Sequence, residues 1–234
     1  QQPSAPQPPA DQGGVDEKVA ERLAGIPQVA KHSLEAETIA QPEGAKPVAS
    51  NRGVQLDPEF AGGVTVTGAS DSSLNPAFQG KLYQLVEGKH VGATASQAVI
   101  HREFADHNNL KVGDKLTLAQ DAKKVTVTVA GIFEGRTENP SGLPVGASEN
   151  NVFVDLASAQ ELGVPITAGR YFTYNAEELP QALAAAKKIA PKLTLEDNSA
   201  QFAPVLQAIA GVDKLLATML LGLSMAGALV LALV

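Results

Sequence analysis

The stretch "KLTLAQDAKKVTVTVAGIFEG", residues 115–135, constrains the fold more than any other. Apolar and polar residues alternate on both sides of "DAKK", which is the period of a half-buried strand. Val125, Val127 and Val129 fall on one face, and Thr126, Thr128 and Ala130 on the other. Two such runs joined by a short polar turn predict a β-hairpin. A chain containing it must supply further strands and something to cover the Val face.

Those partners are legible elsewhere. "GVDEKVAERLAGIPQV" places Val15, Val19, Leu23 and Ile26 at helical spacings, has acids in its first turn, and stops at Gly25 and Pro27. "HSLEAETIA" and "GGVTVTGAS" are expected strands, separated by an expected loop, "QPEGAKPVASNRG". A short strand over 97–100 leads into a helix over 101–107 that breaks at "NNL". "NVFVDL" is a strand, "LASAQELG" a helix ended by Gly163, and "GRYFTYN" a strand. "AEELPQALAAAKKIA" is a helix with acids early and lysines late, and "KLTLED" is a last strand. Hairpins mixed irregularly with helices predict an α+β fold with a mixed β-sheet and packed helices.

The chain ends in "LLATMLLGLSMAGALVLALV", twenty residues without a charge. As a helix this is about 30 Å long, the thickness of the bilayer hydrocarbon. Upstream, Phe202, Val205, Leu206, Ile209, Val212, Leu215 and Leu216 make a stripe of helical spacing with Pro204 in a first turn. The expectation is one amphipathic stalk helix over 199–214 that continues into a transmembrane helix over 215–234. Residues 1–14, rich in Pro and Gln, are expected to be flexible. Residues 15–198 form the main α+β domain, with room for two subdomains. A start at Gln rather than Met, without a signal-peptide pattern, reads as a fragment or a processed piece.

Composition excludes several functions. A net charge of -7 and no Lys/Arg cluster argue against nucleic acid. The absence of Cys removes disulfides, thiolate catalysis and zinc–thiolate sites. No P-loop and no dinucleotide fingerprint occurs. His101 and His107 lie six apart on an expected helix, about 120° from a shared face, which makes a poor metal clamp. Glu134, Glu138, Asp155 and Glu161 are the carboxylates open to acid/base work, but each sits where turns and caps favour an acid. No enzyme and no catalytic, cofactor or metal residue is expected.

The segment "LKVGDKLTLAQDAKKVTVTVAGIFEG", with the short helix before it, resembles the extracytoplasmic core domain of MacB-like and FtsX-like ABC transporter permeases. "LYQLVEGKHV", with Leu85, Glu87, Gly88 and Lys89, is similar to a segment of that family. So is "NVFVDLASAQELG", with Ala159, Gln160 and Leu162. The resemblance spans about residues 15–234. In this pattern Gly113 permits a tight turn and Asp114 fixes it by a bond to its own backbone, so both are fold residues.

The resemblance implies a membrane-bound chain whose bulk is extracytoplasmic, working with a cytoplasmic ABC ATPase that carries the ATP. It implies paired permeases or a homodimer. It also implies coupling of ATP hydrolysis to export of an amphipathic substrate or to mechanotransmission. The alternative is a membrane-anchored domain that docks and regulates an extracytoplasmic protein such as a cell-wall hydrolase. An export role predicts an apolar groove lined by "GRYFTYN" and "GVTVTG". A docking role predicts an exposed loop, with Asn139, Gly142, Pro144 and Glu149 as candidate contacts. This loop and "QPEGAKPVAS" depart from the family pattern.

Overall fold

The computed structural model describes residues 14–49, 62–137, 147–197 and 205–209. In chain order these form α1 (Glu17–Ala24), β1 (Val29–Glu43), β2 (Val64–Ala69), α2 (Pro76–Gln79), β3 (Tyr83–Gly88), β4 (Gln97–His101), α3 (Arg102–His107), β5 (Lys115–Gln120), β6 (Lys123–Gly135), β7 (Asn151–Asp155), α4 (Leu156–Glu161), β8 (Ala168–Thr173), α5 (Leu179–Ile189), β9 (Thr194–Asp197) and β10 (Val205–Ile209). The fold is α+β with a mixed sheet, as the sequence predicts. The β2–β7 and β4–β6 pairs are parallel, and the other pairs are antiparallel.

Six strands close on themselves. The order β2–β7–β4–β6–β5–β1 returns to β2 through the pairing of 35–40 with 64–69. Inside this ring lie Ala36, Ala40, Val64, Val66, Ala98, Ile100, Leu116, Leu118, Val152 and Val154. The β5–β6 hairpin pairs Lys115–Gln120 with Lys123–Thr128, and Val125, Val127 and Val129 face the interior as expected. At Ala130 the β4–β6 register skips a residue. This bulge reverses the alternation, so Ile132, not Phe133, continues the interior face. Helix α4 packs onto the interior side through Ala159 and Leu162. Ala159 sits so near Gly68 that no Cβ could stand at that position.

A second unit extends from the first half of β1. There β8 pairs with 29–35 of β1, β10 with β8, and β9 with β10. Helices α1 and α5 cover one face with Leu23, Leu179, Ala182 and Ala186 against Tyr171, Leu206 and Ala208. Asp16 caps α1 by accepting from the Lys18 and Val19 amides at 2.8 and 3.2 Å, and Gly25 ends the helix. Lys187 and Lys188 close α5 at its negative end.

Two expectations change, and one segment carries elements that no sequence pattern announced. Val205–Ile209, read as part of a stalk helix, is a strand between β8 and β9. Five residues satisfy either periodicity, and the two strand edges beside them supply the backbone partners that decide it. Residues 199–204 and 210–234, including the apolar run, lie outside the described residues, as does the expected flexible start over 1–13. Gln41–Glu43, read as loop, continue β1 and pair with Thr117–Ala119. The segment 72–91 contains α2 and β3, neither of which alternates enough to be read in advance. Among the described residues no helix is long and apolar enough to cross a membrane.

Candidate functional site

Of the loop singled out by sequence, 139–150, residues 139–146 lie outside the described residues, and with them Asn139, Gly142 and Pro144. The described residues on either side of that stretch meet. The Thr137 amide donates to Ser148 Oγ at 3.0 Å, and that hydroxyl lies 3.3 Å from the Thr137 carbonyl. The Arg136 guanidinium pairs with Glu149 through Nη1, and with Glu103 of α3 through Nη2 at 2.7 Å. Glu149 is therefore a buried anchor at the base of the loop, not an exposed contact as expected. Ser148 and Asn150 on either side of it are buried too. An acid that must be desolvated needs a cation, and Arg136 supplies it.

A second segment is fastened to the same place. The Val48 amide donates to Asn150 Oδ1 at 2.7 Å, and Asn150 Nδ2 donates to the Val48 carbonyl at 2.9 Å. One turn of chain away, Asn108 repeats the arrangement on Lys46, at 2.7 and 2.9 Å. Each side-chain amide stands in for a neighbouring strand, so residues 46–48 are held extended without belonging to the sheet. Asn108 was legible only as a helix-breaking residue after α3, and Asn150 not at all. Side-chain pairing across 62 and 102 residues of sequence leaves no local signal.

His101 belongs to this base. Its Nδ1 accepts from the Glu103 amide at 3.0 Å and caps α3, so Nε2 carries the proton and donates to the Gly135 carbonyl at 2.9 Å. Burial lowers its pKa, which favours this neutral form. With both nitrogens engaged it is neither a free base nor a metal ligand. Among the described residues no group of His, Asp and Glu could hold a metal. Of the other candidate carboxylates, Glu138 lies outside the described residues, and Glu134 and Asp155 are held in structural contacts. Glu134 lies 3.6 Å from Arg102. Asp155 caps α4, accepting from Ser158 Oγ at 2.7 Å and from the Gln97 amide at 3.0 Å.

The predicted turn is present. Gly113 has φ +100° and donates to the Val129 carbonyl at 2.8 Å. Asp114 acts backward rather than forward: its Oδ2 accepts from the Lys111 amide at 2.8 Å. The expected apolar groove is not formed by the two named stretches, because all six residues of β2 are buried.

A different polar group marks the seam between ring and outer layer. Arg170 of β8 meets Glu35 of β1 at 2.6 Å, and Asn75 Nδ2 donates to both Glu35 oxygens at 3.1 and 3.2 Å. Glu37, two residues along the same face, shares this single cation. Burial and the Glu35 charge push its pKa up to about 7.

No family model and no curated protein matches the chain. Among solved structures, it is similar to the extracellular domain of the noncanonic ABC-type transporter YknZ from Gram-positive bacteria. That similarity covers 84% of this chain and 90% of that one, at 11% identity and a TM-score of 0.48. It is also similar to the periplasmic region of MacB from Actinobacillus actinomycetemcomitans, over 85% of this chain and 66% of that one, at 8% identity and a TM-score of 0.39.

Proposed function

We propose that this chain is the extracytoplasmic domain of an ABC-type permease subunit that works with a separate cytoplasmic ATPase. The observation that carries the reading is the run from 97 to 135. The residues that resemble the family there occupy consecutive elements: β4, α3, the Gly113–Asp114 turn, and the β5–β6 hairpin. ATP hydrolysis in the partner is coupled to export or mechanotransmission, and the apolar run 215–234 is the membrane segment. Coupling passes through β10, which lies between β8 and β9 and directly precedes that part of the chain. Displacement of β10 acts on the outer layer, and through β1 on the ring.

The second reading, docking of an extracytoplasmic protein, is favoured by the base of segment 138–146. The residues on either side of that segment are fastened to each other by Arg136–Glu149 and Thr137–Ser148, a fixed base of the kind on which binding loops stand.

Purification of the parent protein from membranes, with its co-purifying proteins identified, tests both. A stoichiometric ATPase bearing a P-loop is the expected result, and its absence overturns the permease reading. Replacing 139–146 by a Gly/Ser linker should release any extracytoplasmic partner while the ATPase stays bound. Retention of that partner overturns the docking role.

A further inference from the structure

Residues 45–48 are held on the ring as a bound peptide is held. The Lys46 amide donates to Asn108 Oδ1 at 2.7 Å, and its carbonyl accepts from Asn108 Nδ2 at 2.9 Å. Val48 makes the same pair with Asn150, at 2.7 and 2.9 Å. All four bonds use the backbone of the segment and a side chain of the receptor. The two asparagines engage alternate residues, which is the repeat of an extended chain. The residue between is Pro47, which has no amide to leave unpaired. Ala45 and Val48 rest as partly buried side chains against the ring interior, while Lys46 is exposed.

Receptor and occupant differ in how firmly they are built. Asn150 is buried, and Asn108 is oriented by a further bond from Nδ2 to the Phe104 carbonyl at 2.9 Å. Asn108 follows α3 and Asn150 precedes β7, so both stand on ends of packed elements. The occupant joins no strand among the described residues, and none of residues 44–49 is buried. Gly44 precedes it at φ +74°, with nothing within 4 Å of where a Cβ would stand, which makes a free pivot at the end of β1. Residues 44–63 join β1 to β2, a connection long enough for 45–48 to leave while both strands stay paired. Few buried apolar contacts and an exposed backbone put this segment at the low-stability end of the fold.

We propose that Asn108 and Asn150 form a peptide-binding site, occupied in this structure by the chain's own residues 45–48, that takes an extended segment of a partner protein with the pattern Ala-x-Pro-Val. The seated segment itself defines the occupant. Each asparagine offers one acceptor and one donor to one residue's N–H and C=O, so it reads backbone and not side chain. Backbone pairing supplies affinity, and the small residue and the valine that rest on the ring supply selectivity. The chain's own segment is then a built-in competitor. It lowers the apparent affinity for a partner by the fraction of time the site is vacant. The site adjoins the base of the 139–150 loop through Asn150, yet its test needs no partner of that loop, so it stands or falls apart from the docking role.

Lys46→Pro with Val48→Pro removes both backbone donors of the occupant and leaves the two asparagines in place. The probe is fluorescein-labelled Ala-Lys-Pro-Val-Ala, titrated with the full 234-residue chain and read by anisotropy. K46P/V48P should bind it saturably, and about tenfold or more tightly than the unaltered chain does. The side-chain amide resonances of Asn108 and Asn150 should shift on binding. Adding Asn108→Ala and Asn150→Ala should weaken binding by about tenfold or more. Methylating the peptide at its Lys and Val nitrogens should abolish it. Circular dichroism checks that the variants fold, and the methylated peptide decides the matter if the fourfold variant does not. No saturable binding to K46P/V48P overturns the proposal, as does equal affinity for the methylated peptide or for the unaltered chain. A concentration-dependent dimer of the unaltered chain that K46P/V48P disperses would also overturn it, by making a second copy the occupant.

Discussion

The two halves of β1 serve different structures, although one strand runs through both. Its later half is a stave of the ring, and its interior side chains are Ala36 and Ala40. Its earlier half is the inner strand of the outer layer, where Leu34 faces the helices and Ser33 and Glu35 face away from them. In the ring, closure gives nearly every strand two neighbours and the interior is filled by aliphatic residues. Its order rests on patterning and volume. In the outer layer the strands have ends and edges, and one face carries a buried ion pair. Its order rests on partners distant in sequence. Local patterning specifies the interior face of the ring strands, while ring closure and the layer both depend on partners distant in sequence.

Separating the units at their seam should have the largest effect. Arg170→Met leaves Glu35 buried without its cation, and should cost about 3–5 kcal/mol in urea unfolding. Arg170→Met with Glu35→Gln should recover most of that. A single-variant cost below about 1 kcal/mol would show that the pair does not join the units.

Leu206→Ala tests β10 alone. Leu206 is fully buried against α5, so the loss should be about 2–5 kcal/mol. An unfolding transition that splits in two, with only one part displaced, would show that ring and layer are independent. No change at all would contradict the strand.

Glu37 sharpens the contrast through pH. Its folded pKa of about 7 lies above the ordinary 4.5, so the native state holds the extra proton. Its contribution is complete below about pH 4.5 and is lost as pH rises through 7. Glu37→Gln should thus stabilise the protein above pH 7, by about 1–3 kcal/mol allowing for solvent screening, and change little below pH 4.5. His32, His90 and His101 run the other way. Burial lowers their pKa values, so stability falls as pH drops below 6.5. A pH profile unchanged by Glu37→Gln would remove Glu37 from the seam.

The smallest effect is expected at the loop base. Asn150→Ala removes two hydrogen bonds to Val48 and should cost about 1–2 kcal/mol. Amide exchange of 46–48 should quicken while that of β6 is unchanged.

The α+β class, the β5–β6 hairpin, the end of α1 at Gly25 and the Gly113 turn are legible from residues alone. Each is written in residues adjacent or a few positions apart: alternating Val and Thr, a Gly that ends a helix, a Gly where φ is positive. Within the candidate site the sequence marks the 139–150 loop and nothing of what fastens its base. Ring closure, the strand at Val205–Ile209, the bulge at Ala130 and the burial of Glu149 follow from long-range packing. These depend on what lies opposite in space. The five residues of β10 are compatible with helix or strand until β8 and β9 offer backbone groups on both sides. A glutamate in a polar stretch is indistinguishable from a solvated one until Arg136, thirteen residues earlier, is brought against it.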